Sequence, residues 1–79
     1  MRLDKYLKVS RIIKRRTVAN EACDAKHVSV NGKPARASYD VKVGDVIALT
    51  FGSSTSRFEV LSVTEHATTE SAALMFRQL

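Results

Sequence analysis

The chain has no tryptophan, one cysteine, one proline and three glycines in 79 residues, and aromatic side chains make up only 6% of it. A lone cysteine, Cys23, excludes an internal disulfide or a cysteine cluster for zinc, and it points to a reducing compartment. No apolar run approaches the roughly 20 residues of a membrane span. The charged N-terminus is not followed by the apolar stretch of a secretory signal. A single cytoplasmic domain is the expected organisation. Catalytic patterns are missing too: there is no Ser-His-Asp set, no paired carboxylates and no Gly-rich phosphate loop. His27 and His66 lie far apart without a Cys or Asp partner set, so neither a metal nor another cofactor is expected. Negative charge is scarce in one half only. Residues 1–36 hold ten Lys and Arg against three Asp and Glu, a net of +7, whereas residues 37–79 are net −2.

What is present is a basic run. Seven cations occupy the first sixteen residues: Arg2, Lys5, Lys8, Arg11, Lys14, Arg15 and Arg16. Ordinary surfaces mix their signs, so a polyanionic partner is the first expectation. A hydrophobic fraction of 44% fits a folded domain rather than a disordered basic tail.

The apolar spacing predicts a first helix over residues 2–9, with Leu3, Tyr6 and Leu7 inward at i, i+3, i+4 and Arg2, Lys5 and Lys8 outward. Ser10 breaks it, and at least one of Ile12 and Ile13 should be buried. A second helix is expected over about 15–25, its narrow stripe made by Val18, Ala19, Ala22 and Ala25 with Cys23 at the edge. Arg15 and Arg16 then sit at its start, where the helix dipole disfavours cations by about 0.3–1 kcal/mol each. A phosphate bound between the free N–H groups and these guanidinium groups reverses that sign. Val28-Ser29-Val30 followed by Asn31-Gly32 reads as a strand entering a tight turn. Lys33–Arg36 returns as an edge strand, because Pro34 cannot serve a central ladder. Val46–Phe51 is a clearer strand, 52–56 a flexible hairpin loop and 57–63 its return. Residues 68–79 read as a helix with Ala72, Met75, Phe76 and Leu79 along one stripe.

The ordered pieces Met1–Leu7, Ser10-Arg11, Lys14–Thr17, Val28–Gly32 and Val43–Ile47 resemble the RNA-binding domain named after ribosomal protein S-four, over roughly residues 1–50. Since almost nothing is appended, the chain is similar to stand-alone members of that family, those of bacterial ribosome-associated quality control in particular. The resemblance implies an α+β fold with the αL-type RNA-binding motif. Two short N-terminal helices pack on a small, mostly antiparallel sheet; the β-hairpin return strand and a C-terminal helix occupy 51–79. It implies a non-catalytic monomer that binds rRNA of the obstructed large (50S) subunit and holds peptidyl-tRNA in the P site. A partner, the alanine-tailing factor RqcH, extends the nascent chain. Arg2, Lys5, Arg11, Arg15 and Arg16 carry over as rRNA and tRNA contacts. Family members have a glycine between the second helix and the Val-x-Val-Asn-Gly strand, where Lys26 stands here. Lysine in a left-handed cap costs roughly 1 kcal/mol, so a departure from the standard cap is expected, with Lys26 free to contact phosphate.

Arginine binds phosphate through a planar fork and stacks on bases, which favours Arg15 and Arg16 as principal contacts, followed by Arg2 and Arg11. Lys5, Lys8, Lys14, Lys26 and Lys33 act as point charges. Asp4 either pairs with Lys8 at i+4, worth ~0.3–0.5 kcal/mol, or orients an arginine; the surface pair is the simpler reading. Tyr6 belongs to the core by its spacing, and Cys23 is a small apolar filler. Three alternatives stay open: a heat-shock-type ribosome-recycling protein, an RNA-targeting module of a modifying enzyme, and a membrane-surface adaptor. The apolar face of residues 3–7 is too small for stable interfacial binding.

Overall fold

The computed structural model describes residues 1–79. Helix α1 spans Leu3–Val9 and α2 spans Arg16–Asp24. Strands β1 (Val28–Val30), β2 (Lys33–Pro34), β3 (Val46–Phe51) and β4 (Ser54–Val60) follow, then a single-turn helix α3 (Thr69–Ala72) and strand β5 (Phe76–Gln78). The five strands form one antiparallel sheet in the order β2-β1-β3-β4-β5. Alternation places Val28, Val30, Ile47, Leu49, Phe58 and Val60 on one buried face. Leu3, Tyr6 and Leu7, all fully buried, meet that face with Ala19, Ala22 and Cys23 of α2. Ser10 ends α1, and of the pair after it Ile13 is the buried member.

Pro34 sits on the edge strand, as its missing N–H requires. Asn31 and Gly32 form the two-residue turn between β1 and β2, with φ of 53° and 84°, the positive values such a turn demands. The Asn31 side chain also ties β1 to β3: its Oδ1 accepts from the Val46 N–H at 3.0 Å and its Nδ2 donates to Asp45 at 3.1 Å.

Four expectations change. The α2 stripe is rotated: Ala19, Ala22 and Cys23 face inward, whereas Val18 and Ala25 are exposed. The 52–56 loop shrinks to Gly52-Ser53, because Ser54–Ser56 pair with Leu49–Phe51. Lys26 does not abandon the cap. It takes φ 63°, its N–H reaching the Cys23 carbonyl at 3.0 Å while the His27 N–H reaches Ala22 at 2.9 Å. That is a Schellman closure with lysine in the glycine position. Finally, the tail is not one helix. After α3 the chain turns at Leu74-Met75 and runs as β5 beside β4. The Met75 carbonyl accepts the Leu61 and Ser62 N–H groups at 2.8 and 3.2 Å and the Tyr6 hydroxyl at 2.6 Å. The Phe76 ring meets Phe58 edge-on at 5.4 Å. Pairing with β4 satisfies backbone groups that a continued helix would leave bare along that edge.

Candidate nucleic-acid interface

The N-terminus of α1 is held by the loop before β3. The N–H groups of Leu3 and Asp4 donate to the carbonyls of Tyr39 and Ala37, at 2.8 and 3.1 Å. That anchoring turns the Asp4 side chain into the protein, where only 3% of it is exposed. Its carboxylate does not pair with Lys8. It accepts from the Lys5 N–H at 2.8 Å, Arg2 Nε at 3.2 Å and Nη2 at 3.4 Å, and Asn20 Nδ2 at 3.3 Å; Arg16 Nε lies 3.4 Å away. Burial by itself raises the Asp4 pKa, but the donors from Asn20, Arg2, Arg16 and the Lys5 backbone outweigh it and hold the carboxyl below its ordinary value. One buried carboxylate thus fixes two arginines whose outer halves stay in solvent, 52% and 47% exposed.

Arg15 and Arg16 occupy the N-cap and first position of α2, with no capping side chain. The dipole mismatch is partly answered from within, because Asp4 stands against Arg16. Arg15 has no carboxylate partner and is exposed. Arg2 also lines a 580 Å³ cavity with Asn20, Asp24, Lys26 and Arg36. Arg36 lies outside every motif, and membership of the basic half is its only signal in the sequence. Lys5 is engaged by Glu65 at 3.6 Å. Lys8, Arg11 and Lys14 gather at the other end of α1. Lys33 borders a separate hollow beside Tyr39. The arrangement can bind extended phosphates through prealigned guanidinium groups, with lysines adding charge.

Tyr6 and Cys23 belong to the core. Burial pushes the Tyr6 hydroxyl up to about 12. Burial, then the charges of Asp4 and Asp24, push the Cys23 thiol up to about 11.

A model of the S4 domain matches residues 1–47. Over 96% of its length the chain is 50% identical to a Streptococcus pneumoniae protein named RQC P-site tRNA stabilizing factor, covering 86% of that relative. A Bacillus subtilis protein of the same name is 47% identical over 96% of the chain and 88% of the relative. Among solved structures, the trimeric heat shock protein 15 of Vibrio cholerae superposes with a TM-score of 0.90 at 26% identity, over all of this chain and 81% of that one.

Proposed function

The chain belongs to the S4 domain family, and we propose that it is a non-catalytic RNA-binding factor of ribosome-associated quality control. In this reading it binds the obstructed large ribosomal subunit and stabilises peptidyl-tRNA in the P site while RqcH adds the alanine tail. The observation that carries it is the Arg2–Asp4–Arg16 cluster: two half-exposed arginines, one at the start of α1 and one at the start of α2, fixed on the buried carboxylate of α1 beside the unpaired Arg15. Preorganised forks of this kind suit RNA phosphates. Relatives 45–50% identical to the chain are named as P-site tRNA stabilizing factors, which supports the tRNA part of the reading. A heat-shock-type ribosome-recycling role is the second reading, favoured by the backbone likeness to heat shock protein 15. It has the weaker sequence support, at 26% identity.

The test is co-sedimentation of the tagged chain with purified large subunits that retain or lack peptidyl-tRNA. Association should require peptidyl-tRNA and should be abolished by Arg15→Ala with Arg16→Ala while the circular dichroism spectrum stays intact. Neutralising about five phosphates gives a log–log salt slope of roughly −3.5 to −4.5. Salt-insensitive association, or equal association of the double variant, would overturn the reading.

A further inference from the structure

A cleft of 420 Å³ opens between the C-terminal end of α1 and the segment 65–67, lined by Lys8, Arg11, Lys14, Glu65 and His66. It shares no residue with the cavity beside Arg2, and α1, seven residues long, separates Arg2 from the cleft by about 10 Å of helix. We propose that this cleft is a second site for the RNA backbone, in which His66 from the C-terminal half joins Lys8, Arg11 and Lys14 around a phosphodiester. Glu65 sets its strength from the rim. The proposal rests on the RNA-binding reading above and extends it to a segment of the chain that carries no family motif.

Four observations bear on it. First, the charges are uncompensated. The carboxylate at the cleft, Glu65, is directed to Lys5 at 3.6 Å, and none of Lys8, Arg11 and Lys14 takes part in an ion pair. Three free cations around a concavity focus positive potential. Second, the dipole of α1 does not account for them all. Lys8 and Arg11 complement a helix C-terminus, but Lys14 lies beyond it and His66 comes from the far side of the cleft. Third, Arg11 is the left-handed residue, φ 63°, that follows the C-cap Ser10 and ends α1, its N–H reaching the Lys8 carbonyl at 3.1 Å. The turn it makes leads the chain to Lys14, so both border one cleft. Fourth, the volume lies within the range of about 300–1,000 Å³ seen for ligand sites, while every charged side chain of the lining is exposed. An open cleft with exposed cations suits a strand that enters and leaves, rather than an enclosed small anion.

Glu65 and His66 make the proposal testable apart from bulk charge. Binding of the full chain to a labelled 20-nucleotide RNA hairpin is followed by fluorescence anisotropy across a potassium chloride series. Arg11→Ala with Lys14→Ala should weaken binding at least tenfold and flatten the log–log slope by roughly 1.4–1.8, two phosphates' worth. His66→Ala should weaken binding about threefold, because it removes a hydrogen-bond donor from the far side of the cleft. Glu65→Gln should tighten binding and steepen the slope by roughly 0.7–0.9, because it releases Lys5. Arg2→Ala serves as the control for the first cluster. If Arg2→Ala weakens binding while His66→Ala and Glu65→Gln match the wild type, the cleft is not a site and the RNA-binding reading stands. If none of the variants alters binding, that reading falls as well. Preferential binding of the wild type to phosphatidylserine vesicles over the hairpin would assign the cleft to a membrane surface and overturn the proposal.

Discussion

Replacing Asp4 by Asn separates two explanations of RNA affinity that the basic composition alone merges. The variant is one unit more positive than the native +5, so attraction by net charge predicts tighter binding. Preorganisation predicts the reverse. In the native protein one carboxylate oxygen accepts from the Lys5 N–H and Arg2 Nε, and the other faces Asn20, Arg2 and Arg16, all within 3.4 Å. Asparagine can keep its oxygen on the Lys5 N–H and Arg2 Nε, but it turns an amide donor toward Asn20, Arg2 Nη2 and Arg16 Nε. Arg16 is then released to solvent, and Arg2 is left on a single neutral acceptor with no charge to hold it. Fixing a long side chain costs about 0.5–1.5 kcal/mol, so binding RNA with one arginine unanchored and the other loosely held loses about 1.4 kcal/mol, or about tenfold in affinity. Anisotropy titration against an RNA hairpin at 100 mM salt checks this. Equal or tighter binding by the variant would refute the preorganisation argument and return the affinity to net charge.

The same substitution has a stability signature. Hydrogen bonds to charged groups are worth about 1.5–3 kcal/mol each, but the two arginines are half-exposed and recover hydration, so about 2 kcal/mol is the expected net loss. At about 4–8 °C per kcal/mol for a domain of this size, Tm should fall by about 8–16 °C. The Asp4 pKa lies below its ordinary value of 3.8, so its contribution is fully present above that value and disappears as pH falls through the depressed folded-state pKa. Thermal melts from pH 7 down to pH 2 should therefore show the two proteins converging only at the acid end. A constant gap throughout would mean that the loss is steric rather than ionic.

Tyr6→Phe removes the 2.6 Å bond to the Met75 carbonyl, which still accepts from Leu61 and Ser62. The loss should be near 1 kcal/mol, the low end for a buried hydrogen bond, and an unchanged Tm would show the bond to be inert. Cys23, buried and with its thiol raised to about 11, should react with a disulfide reagent at pH 8 only as fast as the protein opens; immediate stoichiometric labelling of the folded chain contradicts its placement. Lys26→Gly relieves a side chain held at φ 63° and should raise stability by up to about 1 kcal/mol, while flattening the salt slope of RNA binding by roughly 0.7–0.9 if the lysine meets a phosphate. A fall in Tm would reject the left-handed cap.

Local rules carried the reading where neighbours in sequence are neighbours in space. Leu3, Tyr6 and Leu7 share a face by helical spacing alone, and Asn31-Gly32 fixes its turn by conformational freedom. Those rules weaken wherever a tertiary partner chooses among acceptable options. Asp4 and Lys8 stand one turn apart, yet Asp4 is buried and Lys8 exposed. The true partners are two residues behind Asp4 and twelve ahead of it, and only the packing of α2 on α1 brings Arg16 and Asn20 within reach. The same packing rotates the α2 stripe. Ala19 and Cys23 face the core with Asn20 bonded to Asp4, and Val18 is carried out beside His27 and Phe51.

The C-terminal segment shows the competition most sharply. Ala72, Met75, Phe76 and Leu79 have helical spacing, yet only Ala72 and Met75 are buried, Phe76 is half-buried and Leu79 is exposed, so the periodicity marks two of the inward residues while assigning the wrong backbone. A four-residue helix is marginal by itself; Thr68 and Ser71 cap α3 reciprocally, and it ends at Ala72. Beyond that point β4 offers a row of unpaired backbone groups, and Phe76, Arg77 and Gln78 match it register for register. Arg77 lies opposite Glu59 and forms an ion pair with it, and Phe76 packs on Phe58. Tyr6, 69 residues away in sequence, fixes the turn by its bond to Met75. No window of twelve residues contains that information, because the decisive donor belongs to α1. This docking also carries Glu65 and His66 to the end of α1, where a segment without a motif of its own comes to face the basic cleft.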